Sequence, residues 1–175
     1  MSSPSTAADN RIATSLINEM KNEIDSTRKC LERLPAESFS WKPHEKSMEL
    51  GRLASHIAEM FGWTKPTIQN SELDFATMDY KPFEPKTTAE LVEFLEKQAT
   101  EALETLADTP DEAFMETWSL RNGEQVYFTL PKVAVMRSFV LNHIYHHRGQ
   151  LTVYMRLLDV PVPGIYGPSA DEPTM

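Results

Sequence analysis

A chain of 175 residues is long enough to bury one sizeable core and too short for two comfortable domains, so a single domain over residues 1–175 is expected. Its 26 acidic against 17 basic residues leave a formal net charge of -9, with no run of Lys and Arg to act as a phosphate footprint, which disfavours nucleic-acid binding. The lone cysteine, Cys30, has no partner for an internal disulfide, and neither the polar first ten residues nor any later segment reads as a leader or a membrane span. A soluble, cytoplasmic protein is expected, with residues 1–8 disordered.

The first apolar stripe runs through Ile12, Leu16, Met20, Ile24, Leu31 and Leu34, at the threes and fours of a helix buried on one side, with Pro35 as a stop. A second stripe, Leu50, Leu53, Ile57, Met60, Phe61 and Thr64, predicts another helix that Pro66 kinks or frays. Residues 71–86 carry Pro82 and Pro85 without a clear period and read as a long connection across one end of the fold. Thr87 and Glu90 have capping-box spacing and open a third helix, lined by Leu91, Phe94, Leu95, Ala99, Ala102 and Leu106. Asn122-Gly123, between the apolar flanks of residues 118–128, predicts a short hairpin closed by a type I′ turn. The fourth helix is expected from Pro131 to about Leu158, with a seam of Met136, Val140, His143, His147, Leu151, Tyr154 and Leu158. The tail from Val160 to Glu172 is too rich in proline and glycine for a helix and too apolar for a free linker, so it is expected to pack in order on the domain. Four helices with one stripe each predict an all-α four-helix bundle, with the short hairpin before the last helix.

Three of the chain's five histidines fall in residues 143–147. His143 and His147 are four apart and project from one helix face about one turn apart, on the apolar seam. An imidazole there needs partners for its polar nitrogens, and a metal ion would take one nitrogen of each ring. His56, between Leu53 and Met60, faces the same way from the second helix and completes a candidate triad. Three histidines suit an open zinc site, and nickel, iron or manganese would also fit. The plain alternative gives each ring a hydrogen-bond partner and no ion. His146 lies about 100° around the helix from His147, as a flank residue or a donor to the ligand set, and His44 is expected in an exposed loop.

Residues 143–147 share ligand spacing with the H-E-x-x-H zinc proteases, but Ile144 stands where their general base would be, which argues against peptide hydrolysis. The inward carboxylates of a di-iron centre are also missing. Glu59, one turn past His56, would orient a ring or act as a base, unless it faces the surface. Cys30 reads as a small buried hydrophobe rather than a nucleophile. Trp41, Trp63 and Trp118 would line a pocket or fill core.

Leu53-Ala-Ser-His56, Asn142-His-Ile-Tyr-His-His-Arg-Gly-Gln150 and Tyr166-Gly-Pro-Ser-Ala-Asp-Glu172 together resemble the DinB-like family of metalloenzymes, with a weaker match at Trp41-Lys-Pro-His44. The resemblance runs from the first helix to the tail. It implies a DinB/YfiT-like four-helix bundle, commonly a homodimer, holding a divalent metal on the residues that align here with His56, His143 and His147. Relatives include transferases and isomerases that use bacillithiol, mycothiol or glutathione, with the metal lowering the pKa of a bound low-molecular-weight thiol. The family's name refers to induction by DNA damage, a stress response, although the acidic chain gives no physical reason for DNA contact. Arg148, Gln150 and Tyr166 stand in the matching motifs as catalytic candidates beside Glu59, with Arg148 and Gln150 alternatively tying down the tail, and Asp171 and Glu172 are placed near the open end by the resemblance alone.

These readings converge on a divalent-metal-dependent enzyme acting on a small molecule, as a low-molecular-weight-thiol transferase or a related hydrolase. A metal-binding bundle without turnover, or a structural dimer, is the competing reading.

Overall fold

The structure, a computed structural model, describes residues 11–174. The expected disorder of residues 1–8 lies outside them. Four long helices dominate: α1 (Arg11–Leu31), α2 (Leu50–Gly62), α4 (Thr88–Ala107) and α6 (Asn142–Leu157). Helix α4 packs on both α1 and α2, and α6 packs on α2 and α1. Their facing stripes are those read from the sequence: Leu16, Met20, Ile24 and Leu31 of α1, Leu53, Ile57 and Met60 of α2, Leu91, Leu95, Ala99, Ala102 and Leu106 of α4, and Leu151 of α6 are all buried.

The chain is mostly helical but not all-α. Strands β1 (Glu72–Asp74), β2 (Thr117–Asn122) and β3 (Gln125–Pro131) form a sheet in the order β1-β2-β3, with β1 parallel to β2 and β2 antiparallel to β3. The expected hairpin is present. Its turn, however, sits one residue later than read: Asn122 pairs with Gln125, leaving Gly123 and Glu124 as the central residues. Gly123 has φ +58°, and Asp159 is the one non-glycine with positive φ among the described residues, so Glu124 lacks the positive φ a type I′ turn requires. Asp74 reinforces the corner by accepting from the Gly123 and Ala76 N–H groups, both at 2.9 Å.

Three local departures from regular helix shape the site. Helix α2 ends at Gly62, and after Trp63 the chain starts a new short helix, α3 (Thr64–Gln69), with Pro66 tolerated in its first turn. The last helix begins as α5 (Lys132–Val135), passes through a π turn (Met136–Leu141) in which the Asn142 N–H reaches back to the Arg137 carbonyl, and only then becomes α6. Helix α4 is capped by Thr87 Oγ1 accepting from the Glu90 N–H at 3.1 Å, while the Glu90 carboxylate accepts from Lys86 N–H rather than from Thr87. The expected box is therefore displaced by one residue on one side.

Among the described residues no helix is long and apolar enough to cross a membrane. The tail is ordered, as expected: Val160 is buried, Val162 and Ile165 pack on the core, and Asp171 and Glu172 pair with Arg156 and Arg33.

Candidate metal centre

Helix α2 turns His56 toward α6, and α6 presents His143 and His147 one turn apart on the facing side. One ligand-type nitrogen from each of the three rings lies within 4.8 Å of the others. Ring centroids are 5.3 Å apart for His56 and His143, 4.9 Å for His56 and His147, and 4.7 Å for His143 and His147. The helix break at Gly62 puts the Trp63 ring 5.6 Å from His56 and 5.4 Å from His143. Phe139, from the π turn, stacks on the outer side of Trp63 at 5.0 Å and continues into the small sheet core of Trp118, Leu120 and Val135.

Neutral imidazoles are what a metal requires, because a protonated ring has no lone pair to donate. Burial, with the neighbouring His147 and His56 rings adding to it, pushes the His143 pKa down to about 4. Burial also lowers His147, against a partial opposing effect of its Gln150 hydrogen bond. His147 Nδ1 lies 2.7 Å from Gln150 Oε1, which fixes the proton on Nδ1 and leaves Nε2 as the lone-pair nitrogen. The amide nitrogen of Gln150 in turn lies 3.2 Å from His146 Nε2, so one side chain sets the orientation of two rings. On the other helix, His56 Nδ1 faces Glu59 Oε2 at 3.5 Å, the long end of the hydrogen-bond range. Acceptors on the outer nitrogens of two rings, with nitrogen atoms converging inside, form a donor set that suits zinc, nickel, iron or manganese.

Glu59 is not the surface glutamate of the plain reading. It is 7% exposed, and both carboxylate oxygens are in use. Oε2 accepts from Tyr80 OH at 2.6 Å and from Arg52 Nη1 at 3.1 Å, and Oε1 accepts from the Phe83 N–H at 2.9 Å. Burial alone would raise this carboxyl, but its hydrogen bonds with His56, Tyr80 and Phe83 and the charge of Arg52 outweigh it and hold the group down at about 2. Arg52 Nη2 also donates to Tyr80 OH at 2.7 Å. The connection that the sequence left without a period is thus strapped onto α2 at Glu59, and Glu59, Trp63, Tyr80, Phe83 and Phe94 line a cleft of about 440 Å³ that reaches His56 through Glu59 and Trp63.

The other sequence candidates lie elsewhere. Arg148 is 2% exposed and commits its guanidinium to the Glu23 carboxylate and carbonyl, to Thr27 and to Tyr166 OH. Tyr166 OH donates to Glu23 at 2.7 Å, which draws the tail onto α1. Asp171 and Glu172 serve the same latch through Arg156, Arg33 and the Gly164 N–H. Cys30 is buried, and its thiol is pushed up to about 11 by that burial. Trp41 packs against the core and Trp118 is buried in the sheet core, while His44 and His146 are exposed. Sequence reasoning missed Arg52, Tyr80 and Phe83. It had the signal for the Gln150 contact, since residues 147 and 150 are neighbours at i,i+3 on a helix.

Comparison with known proteins shows what the chain is similar to. The chain is 31% identical over 152 residues to the uncharacterized protein YrdA of Bacillus subtilis strain 168, covering 86% of this chain and 85% of that one. A crystal structure of a DinB-like protein from Bacillus cereus ATCC 10987 superposes with a TM-score of 0.66 at 26% identity, covering 87% of this chain and 97% of that one. The DinB-like protein YjoA of Bacillus subtilis shares the fold, with a TM-score of 0.65 at 17% identity over 84% of this chain and 95% of that one. The family model described as the DinB family matches residues 1–174, and with the histidines, the helices and the tail in the places described, the chain belongs to that family.

Proposed function

We propose that the protein is a divalent-metal-dependent enzyme whose ion is held by His56, His143 and His147, and that it transfers a low-molecular-weight thiol to an electrophile or carries out a related hydrolysis. The observation that carries the reading is the convergence of three imidazole nitrogens within 4.8 Å, with the outer nitrogens of two of the rings facing built-in acceptors. Three protein ligands are also the number used by catalytic zinc sites, which keep a position for substrate or water. The four long helices then constitute the DinB/YfiT-like four-helix bundle, and a cytoplasmic homodimer acting on a small molecule belongs to the same proposal.

When bound, the ion would supply Lewis acidity, lowering the pKa of a thiol or water that reaches it. The chain's own groups do the rest. Gln150 and Glu59 hold protons on the outer nitrogens of His147 and His56, so that the inner nitrogens keep their lone pairs. Trp63 and Phe139 wall one side of the histidines against water. The cleft lined by Trp63, Phe83 and Phe94 offers apolar surface for the body of the electrophile.

The test is metal content by mass spectrometry on protein purified without a nickel column, beside His56→Ala and His143→Ala. The expected result is about one ion per chain, lost in both variants, followed by turnover in a panel of thiols against electrophiles. Stoichiometric metal without turnover favours the non-catalytic metal-binding reading. No metal after incubation with zinc, nickel or manganese removes the mechanism.

A further inference from the structure

The connection between β1 and α4 is attached to the metal centre through one buried carboxylate. Glu59 is reached from one side by His56 and Arg52 of its own helix and from the other by two groups of the strap, the Tyr80 hydroxyl and the Phe83 N–H. Oε2 is the shared atom: it faces His56 Nδ1 and accepts from both Tyr80 and Arg52. Without Tyr80 and Phe83, a carboxylate that is 7% exposed loses two of its donors and has reason to turn toward water. His56 then loses the acceptor that selects its Nδ1–H tautomer.

From this we infer that Tyr80 and the Phe83 backbone amide are positioning groups of the metal centre, acting on His56 through Glu59, and that metal loading and docking of the strap over residues 75–87 favour one another. The inference rests on the proposed metal site. Its direction follows from linkage: a ligand stabilises whichever conformation binds it better, and the coupling is reciprocal. A metal on the inner nitrogen of His56 requires the proton on Nδ1, and Nδ1–H is the form that bonds Glu59 in the docked arrangement. Tyr80 itself is 43% exposed, so its hydroxyl is set by this contact and not by enclosure. Gln150 does the equivalent work for His147 from within α6, and it makes no contact with the strap. The two acceptors therefore differ in what holds them: Gln150 bonds within α6, whereas Glu59 takes a donor from a segment 21 residues along the chain.

Zinc affinity, read by competition with a chromophoric chelator, and the rate of tryptic cleavage after Lys86 test this in the unmodified chain, Tyr80→Phe and Glu59→Gln. Tyr80→Phe removes one hydroxyl from a partly exposed residue and keeps the fold, so it remains informative if the buried Glu59→Gln substitution disturbs folding. Saturating zinc is expected to slow strap cleavage in the unmodified chain and to do so less in Tyr80→Phe. The zinc dissociation constant is expected to rise several-fold in Tyr80→Phe and about 10- to 100-fold in Glu59→Gln, the range seen when partners of ligating groups are removed. Zinc binding that is equally tight in all three proteins, or strap cleavage that zinc leaves unchanged in the unmodified chain, overturns the inference alone. Failure of the unmodified chain to bind zinc overturns the metal site and the inference together.

Discussion

Arg148 sits next to a proposed metal ligand in sequence, yet its chemistry faces the other way, and replacing it decides between the two roles. Arg148→Met keeps most of the apolar stem and removes the guanidinium. The Glu23 carboxylate, whose side chain is 6% exposed, would then lose the Arg148 guanidinium and keep the Tyr166 hydroxyl, 2.7 Å away. Breaking a buried pair by removing one partner costs about 3–5 kcal/mol, because the remaining charge stays buried without compensation. Loss of the bonds to the Glu23 carbonyl (3.1 Å) and Thr27 Oγ1 (3.2 Å) acts in the same direction without adding in full. With a urea m-value of about 2 kcal/mol/M, the unfolding midpoint followed by circular dichroism should fall by about 2 M. Glu23→Gln in the same chain should recover part of that loss, since a neutral amide no longer needs a cation. Zinc affinity at temperatures where Arg148→Met is folded should stay within about twofold of the unmodified chain. A midpoint shift equivalent to less than about 1 kcal/mol, or a loss of metal with unchanged stability, would refute the structural reading and place Arg148 at the site.

Gln150→Ala removes the acceptor 2.7 Å from His147 Nδ1 and should weaken zinc binding by about tenfold at unchanged helicity, measured by chelator competition and circular dichroism. In metal-free protein His143 is pushed down to about 4 and His147 is also lowered, so the unfolded chain binds more protons than the folded one below the ordinary histidine pKa near 6.5. Their contribution to stability is complete above about pH 6.5 and is lost as pH falls toward 4; the urea midpoint should drop over that window, and His143→Ala should flatten the drop. Thr87→Ala deletes the hydroxyl that accepts from the Glu90 N–H and should cost about 1 kcal/mol in urea unfolding without altering metal binding.

The long helices and the triad were legible because both rest on local periodicity. His56 falls between Leu53 and Met60 on a stripe that the fold does bury, and a spacing of four fixes His143 and His147 relative to each other whatever the rest of the chain does. Gln150 was legible in the same way. The place of Glu59 one turn past His56 was legible by the same spacing, but its burial was not, because that depends on Tyr80 and Phe83, 21 and 24 residues away in a segment whose prolines give no period. Strand β1 was hidden for a related reason, since three residues, Glu72-Leu-Asp74, show no alternation and acquire strand geometry only by pairing with Ser119, Leu120 and Arg121. The π turn has no sequence signature at all, because Met136–Leu141 has the composition of ordinary helix.

The division between what was legible and what was not has a physical counterpart in the site. His143 and His147 ride on one helix, with the Gln150 acceptor on the same element, so their relative geometry is settled as soon as α6 forms. His56 arrives from α2, and its acceptor Glu59 takes its donors from α2 and from the strap. Two of the three histidines are therefore set relative to each other by one helix, while the acceptor facing the third takes donors from a connection with no regular structure over residues 75–87. In the proposed centre the acceptor of His56 is fully bonded only with the strap in place, and Tyr80 and Phe83 of that strap also line the cleft. The segment with the weakest pattern in the sequence thus reaches both the acceptor that faces His56 and the wall of the cleft. This agrees with the general rule that function concentrates on connections held against a rigid scaffold, and here the hold combines the Glu59 carboxylate with the Arg52–Tyr80 hydrogen bond and the stacking of Phe83 on Phe94.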